Sequence, residues 1–375
     1  MTQQILKGIN QLSTILQQID RPRIFLVIDS SFQFLNIKKY IEDLPIEKYY
    51  FSRFTPNPHF EQVCEALAAY REQEYGAVVA VGGGSAIDVA KCLKLACLAE
   101  RGEETLIPPL VQTKIEINDD SLPLIAIPTT AGTGSESTHN AVIYYNGLKQ
   151  TVTNDNILPN YAILDSSVLK TLPIYQKKCT MMDALCQGIE SWWSINSTPE
   201  SSRYSKKVIE LIVNNWEKYI FENNEIAAEN IMLAANYSGK AINIAQTTSA
   251  HAMSYKITST YGLPHGHAVA VCLPEIWEYM LKYPEKCSDR RGSLYLNEIF
   301  IQIAKSLGLS SPLEAIKYFR NMLQLLNLKK PATKKIESDI ELLTKSVNPI
   351  RLKNNPILFE AGDVKAIYNS IIQKI

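Results

Sequence analysis

The chain has 375 residues, of which 46% are hydrophobic and 20% charged, enough for two or three domains with a real core. Lysine plus arginine and aspartate plus glutamate balance at 38 each, so no global field draws the protein to nucleic acid or to an acidic membrane surface. Seven scattered cysteines without a C-x-x-C pair speak against a disulfide framework or a zinc knuckle, no apolar run has membrane-spanning length, and a cytoplasmic protein is expected.

Residues 1–20 are polar and amphipathic and read as a helix, not as a signal peptide. Short strands are expected at residues 24–28, 78–81, 124–127, 141–145 and 162–164, several of them continuous apolar runs of the kind buried on both faces of a parallel sheet. Helical patterns lie between them at residues 60–74 and 86–101. Strand alternating with helix argues for a mainly parallel α/β sheet.

Two glycine loops close strands of this half. GGGSAIDVAK, residues 82–91, follows an apolar run, and its glycines let the backbone turn sharply and approach a ligand closely. The N–H groups at the start of the next helix then favour an anion, although the spacing is not G-x-G-x-x-G and a plain turn is the alternative. IPTTAGTGSE, residues 127–136, offers hydroxyls and N–H groups suited to pyrophosphate and ribose. Asp29 ends the first strand, where an acid either accepts ribose hydroxyls and repels a 2′-phosphate or caps a turn. Asp88 either orders this region or complements the helix dipole as a first-turn acid.

From about Leu169 helical periodicity takes over, with an apolar face at Val208, Leu211, Ile212, Trp216, Tyr219 and Ile220. Residues 231–245 suggest a buried helix, and residues 296–307 another, with Gly308 as its cap. The expected organisation is an α/β domain at residues 1–168 followed by an all-α domain at 169–375. Three of only five histidines, His251, His265 and His267, cluster here, downstream of a helix on which Asp183 and Gln187 share a face. A carboxylate and two imidazoles could hold a divalent metal with an open position, and ordinary polar or capping histidines are the alternative. The loop at residues 262–266 would aim His265 back at the site.

GGGSAIDVAK, IPTTAGTGSE, MDALCQGIES and HAMSY with GLPHGHA, in this order, resemble the iron-containing alcohol dehydrogenases over nearly the whole chain. The resemblance implies a dinucleotide-binding, dehydroquinate synthase-like α/β domain, an all-helical domain, and a metal in the cleft between them. It places cofactor contacts at Asp29, Asn57, Gly83, Gly84, Ser85, Thr129, Thr130, Thr133, Asn140 and Lys149, and metal ligands at Asp183, Gln187, His251 and His265. The family usually has histidine where this chain has Gln187, a neutral, harder donor that should weaken iron or zinc binding. Tyr255 stands where many members carry a further histidine.

Finer resemblance is to the phosphonoacetaldehyde reductase branch, in which Gln187 and Tyr255 are usual features. It implies NADH-linked reduction of phosphonoacetaldehyde to 2-hydroxyethylphosphonate, with NAD(H) favoured over NADP(H). The metal would be Fe²⁺ or Zn²⁺, with Mn²⁺ a third option, and the protein a homodimer or larger homo-oligomer. Tyr255 and His267 are candidate proton-relay members, with Asp88 in support. Lys149, Arg203 and Lys256 are candidates by type for the small anionic aldehyde's phosphonate. A general alcohol dehydrogenase, a lyase of the dehydroquinate synthase type and a non-catalytic dinucleotide-binding protein are the rival expectations.

Overall fold

The computed structural model describes residues 3–19, 23–99 and 122–374. The chain divides into two compact units, Met1–Leu172 with Asn223–Gly239, and Pro173–Glu222 with Lys240–Ile375. Residues 223–239, placed by sequence in the second domain, thus belong to the first unit by compactness.

The first unit is built on a sheet of strands β1 (Gln4–Lys7), β2 (Arg23–Ile28), β3 (Glu47–Phe51), β4 (Ala77–Gly82), β5 (Leu124–Pro128) and β8 (Tyr161–Leu164). Their order is β1-β8-β5-β4-β2-β3, and every pairing is parallel. β4 and β5 are buried along their whole length, as their unbroken apolar runs require. Helices α1 (Gln11–Leu16), α2 (Lys38–Glu42), α3 (Phe60–Arg71) and α4 (Gly84–Leu98) intervene, and α3 and α4 bury Val63, Leu67, Val89 and Leu93 in one core with Phe25 and Val78. β6 (Asn140–Tyr145) and β7 (Leu148–Thr153) form a separate antiparallel hairpin.

Several expectations change. Residues 1–20 are not one helix, since Gln4–Lys7 is an edge strand paired with β8 and only Gln11–Leu16 is helical. Residues 141–145 lie in the hairpin and not in the parallel sheet. Its turn is Asn146-Gly147 with φ of 49° and 73°, the left-handed pair that matches strand twist in a two-residue hairpin. The helix expected at 86–101 starts earlier, at Gly84, and runs to Leu98, while residues 100–101 lie outside the described residues.

The second unit is helical: α5 (Ile174–Trp193), α6 (Pro199–Phe221), the end of α7 (Glu225–Ala245), α8 (Ser249–Tyr261), α9 (His265–Lys282), α10 (Gly292–Ser306), α11 (Pro312–Leu325), α12 (Ile336–Ser346), α13 (Pro349–Leu352) and α14 (Ala361–Ile371). α9 packs against α5, α8, α11 and α14, and is apolar nearly all round. Trp193, Trp277 and Phe300 meet edge to face or tilted at its centre, where truncation of one ring would cost about 3–5 kcal/mol. α10 ends at Gly308 as expected, with φ of 77°. Among the described residues no helix is long and apolar enough to cross a membrane, and no cysteine is in a disulfide.

Candidate functional site

In the first unit, β2, β4 and β5 are adjacent and parallel, so Asp29, Gly83 and Thr129 emerge side by side at their carboxyl ends. Ligands of open α/β sheets bind at such strand ends. Asp29 clamps the glycine turn: Oδ2 accepts the Gly83 N–H at 2.9 Å, and Oδ1 accepts the Ser31 N–H at 2.9 Å and its hydroxyl at 2.5 Å. A Cβ on Gly82 would lie 2.6 Å from both Asp29 Oδ2 and Ala86 Cβ, so the turn accepts no larger residue. The hydroxyl loop folds over it, with Thr133 within 3.1 Å of a Cβ built on Gly84 and Thr130 within 3.6 Å of one on Gly83. Asn57, with φ of 60°, donates its N–H to Ser85 Oγ at 3.2 Å.

Asp29, Asn57, Gly83, Gly84, Ser85, Thr130 and Thr133 are therefore gathered in one place, with the Thr129 N–H bonded to the Gly82 carbonyl at 3.0 Å. No side chain caps α4 at Gly83, so its first N–H groups are disposed to receive an anion. This bare helix end beneath a glycine-only turn fits a pyrophosphate.

Asn140 and Lys149 sit on the hairpin instead. The Asn140 amide oxygen accepts the Thr153 hydroxyl at 2.6 Å, and Lys149 lies opposite Tyr144. Asp88 is not a first-turn acid: it lies one turn into α4 and ties the helix to Ser135 Oγ (2.6 Å) and the Val142 N–H (3.1 Å). Burial pushes its carboxyl up, opposed by the Lys91 charge. Lys91, unnoticed in the sequence, is fully buried and donates to Ser135 O, Ser135 Oγ, Thr138 Oγ1 and Asn140 O at 2.5–3.1 Å. Burial brings its ammonium down to about 8.

The second unit holds the acid–histidine cluster. α5 carries Asp183, α8 carries His251 and α9 begins at His265, and one ligand atom from each lies within 4.8 Å of the others. Gly266 makes this convergence possible, because a Cβ there would lie 2.0 Å from the Cys179 carbonyl oxygen and 2.8 Å from Asp183 Cβ. Gly262, with φ of 66°, ends α8, and the chain re-enters a helix at His265. His251 Nε2 is buried, 3.4 Å from Asp183 Oδ1, and makes no hydrogen bond. Gln187 lies one turn beyond Asp183 and directs its amide to Asp183 Oδ2 at 3.4 Å.

Glu190, inside the quoted MDALCQGIES motif but given no role from sequence, completes the cluster. It is fully buried, binds His251 Nδ1, and accepts the N–H groups of Thr248 and Ala250 at 3.1 and 2.9 Å. One carboxylate thus fixes the imidazole and caps α8. Burial opposes charge on His251, but Glu190 and Asp183 outweigh it and bring the imidazole up to about 10. One carboxylate, Asp183, facing two imidazoles, one of them with a buried ring nitrogen aimed at the acid, forms a donor set that suits a divalent metal.

The two candidate relay residues differ. The Tyr255 ring is parallel to that of His265, centroids 5.7 Å apart, and its hydroxyl accepts from Arg351 Nη1 at 3.1 Å. His267, two residues after His265, projects from a different side of α9. Its Nε2 faces the Lys329 carbonyl at 2.9 Å and must donate, so Nδ1 accepts the Tyr175 hydroxyl at 2.8 Å. Both nitrogens are engaged away from the cluster, and burial lowers its pKa, keeping this tautomer neutral.

Residues 3–166 match the family description "Iron-containing alcohol dehydrogenase", and residues 178–372 match "Fe-containing alcohol dehydrogenase family, C-terminal". The chain belongs to the iron-containing alcohol dehydrogenase family. Within the family it is 34% identical over 238 residues to a phosphonoacetaldehyde reductase of Streptomyces viridochromogenes, covering 61% of this chain and 60% of that one. It is 29% identical over 345 residues to an alcohol dehydrogenase of Thermococcus barophilus, covering 89% and 87%. Several curated relatives, the reductase among them, are matched over less than two thirds of their own length. The crystal structure of a Bifidobacterium kashiwanohense sulfoacetaldehyde reductase in complex with NAD⁺ superposes with a TM-score of 0.85 at 25% identity, covering 98% of this chain and 96% of that one.

Proposed function

We propose that this protein is a metal-dependent aldehyde reductase that uses NADH, with phosphonoacetaldehyde as the substrate we favour. The reading of the reaction rests on the Asp183–His251–His265 cluster in a chain of this family. When bound, the metal would supply Lewis acidity to a carbonyl oxygen, and NADH the hydride.

The chain's own residues prepare each part. Asp183, His251 and His265 would hold the metal, Gln187 stands beside Asp183 as a fourth donor, and Glu190 keeps His251 in one tautomer and orientation. The uncapped start of α4 would receive the pyrophosphate, and the hydroxyls of Thr130 and Thr133 border the same turn. Asp29, fixed against Gly83, would disfavour a 2′-phosphate and so favour NADH. Tyr255 lies against a metal-ligating imidazole and is better placed than His267 to pass a proton.

Support for the substrate comes from the phosphonoacetaldehyde reductase at 34% identity. A general alcohol dehydrogenase is the second reading, favoured by the longer match to the Thermococcus barophilus enzyme. NADH oxidation with phosphonoacetaldehyde, propanal and glycolaldehyde, in metal-stripped protein reloaded with Fe²⁺, Zn²⁺ or Mn²⁺, separates the two. A strong preference for the phosphonate supports the first reading; equal turnover of all three leaves the second.

A further inference from the structure

A two-carbon aldehyde with a phosphonate or sulfonate presents two groups to its enzyme, a carbonyl and an anion one methylene away. A site specific for it needs a cation near the group that receives the carbonyl. Of the cations nominated by type, Lys149 and Arg203 lie on elements that carry no member of the acid–histidine cluster, and Lys256 follows Tyr255 on α8. Lys149 lies in the hairpin of the first unit, and Arg203 is exposed on α6.

Arg351 has the required place. Its guanidinium stands 5.1 Å over the Tyr255 ring and donates to the Tyr255 hydroxyl at 3.1 Å, and the parallel imidazole of His265 also neighbours that ring. The cation and the candidate metal ligand thus both contact the same phenol ring. The half-buried Arg351 sits on the short helix α13, which Asn348 caps through the Ile350 N–H at 2.9 Å. The next residues anchor it to the chain leading into α8: Asn354 donates to Gln246 Oε1 at 2.8 Å, and the buried Asn355 accepts the Ser249 hydroxyl at 2.7 Å. α8 is the helix that carries both His251 and Tyr255. The cation is therefore fixed to the same scaffold as the metal ligands, so little ordering would be needed on binding.

We propose that Arg351 receives the anionic head group of the substrate and sets the specificity of this site for short aldehydes bearing a phosphonate or sulfonate. The proposal rests on the aldehyde-reductase reading above. Tyr255 then has a second role, as the spacer that aligns the guanidinium beside the metal-ligating imidazole.

The test compares wild type, Arg351→Gln and Arg351→Lys, each metal-loaded and each shown by thermal melting to be folded. The first readout is calorimetric binding of phosphonoacetate and sulfoacetate, which carry the anion but no aldehyde. Arg351→Gln should weaken phosphonoacetate binding roughly tenfold to hundredfold, the size of a lost charge-assisted hydrogen bond, and Arg351→Lys should recover part of it. Weaker loss for sulfoacetate would mark phosphonate as the preferred head group. Unchanged binding in Arg351→Gln overturns the proposal even if no aldehyde is turned over. The second readout is turnover: the loss of kcat/KM in Arg351→Gln should be at least about tenfold larger for phosphonoacetaldehyde than for propanal, which lacks the anion. Equal losses on both aldehydes would mean that Arg351 only positions Tyr255 and His265, and would also overturn it. Failure of wild type to oxidise NADH with any aldehyde removes the reaction reading but leaves the binding readout decisive for the anion site.

Discussion

Glu190 shows how one side chain fixes the properties of another. It orients His251, raises its proton affinity and closes the end of α8. Glu190→Gln keeps the shape and removes the charge, and we expect divalent metal affinity to fall about tenfold to hundredfold, read by competition with a chromogenic chelator. A change within twofold would mean that Glu190 serves the helix end alone. Gln187 allows the opposite experiment. It lies one turn from Asp183 with its amide against the carboxylate, so Gln187→His would place a softer donor in the same position. Zn²⁺ should then bind about tenfold tighter or more; unchanged affinity would put position 187 outside the coordination sphere. Gln187 was legible as a ligand through the family resemblance and shares a helix face with Asp183; Glu190, one turn further along, was open to the same helix-face reading. Arg351 was not, because nothing local to NPIRLKNN points to Tyr255, which is 96 residues away.

Elements explain which parts of the fold could be read. β4 and β5 were legible because central parallel strands are apolar throughout, whereas β1 and β3 are edge strands of mixed polarity whose identity comes from pairing. QILK pairs with a strand more than 150 residues away, so its local pattern resembled the helix that follows. The Asn-Gly turn was a readable hairpin signal that the apolar run before it obscured. Lys91 and Lys94 were the opposite case: lysines on α4 that pattern alone would put in water are fully buried. Lys91→Met should destabilise the protein by about 2–3 kcal/mol at pH 7, because the Ser135 and Asn140 carbonyls lose a charged donor. The pH dependence has a definite sign. The folded pKa of Lys91, about 8, lies below the unfolded value near 10.5, so the unfolded chain binds more protons between them. The wild-type contribution therefore rises with pH across that window, and the stability gap to Lys91→Met should widen in urea titrations between pH 8 and 10. At the meeting of α5 and α9, Gly266→Ala would drive a Cβ into the Cys179 carbonyl. We expect a loss of about 3 kcal/mol or more, together with weaker metal binding as His265 is displaced.

For the whole molecule, each compact unit carries its own candidate ligand site: the glycine turn in the first, the acid–histidine cluster in the second. A ligand protects most the residues it orders, and a metal at about a hundred times its dissociation constant adds about 2.7 kcal/mol to the state that binds it. Hydrogen exchange of the metal-stripped protein can therefore assign each ligand to its unit. Zn²⁺ should slow exchange in α5 around Asp183, at the start of α8 and at the α8–α9 turn, where Gly262 and His265 lie. NADH should slow exchange at the start of α4 and across the loop from Thr129 to Gly134, whose Thr130 and Thr133 side chains border the uncapped helix end. The contrast is sharp because no residue of one set belongs to the other unit. Zn²⁺ protection at the glycine turn without protection around Asp183 would move the metal out of the cluster. NADH protection absent from the start of α4 would return GGGSAIDVAK to a plain turn.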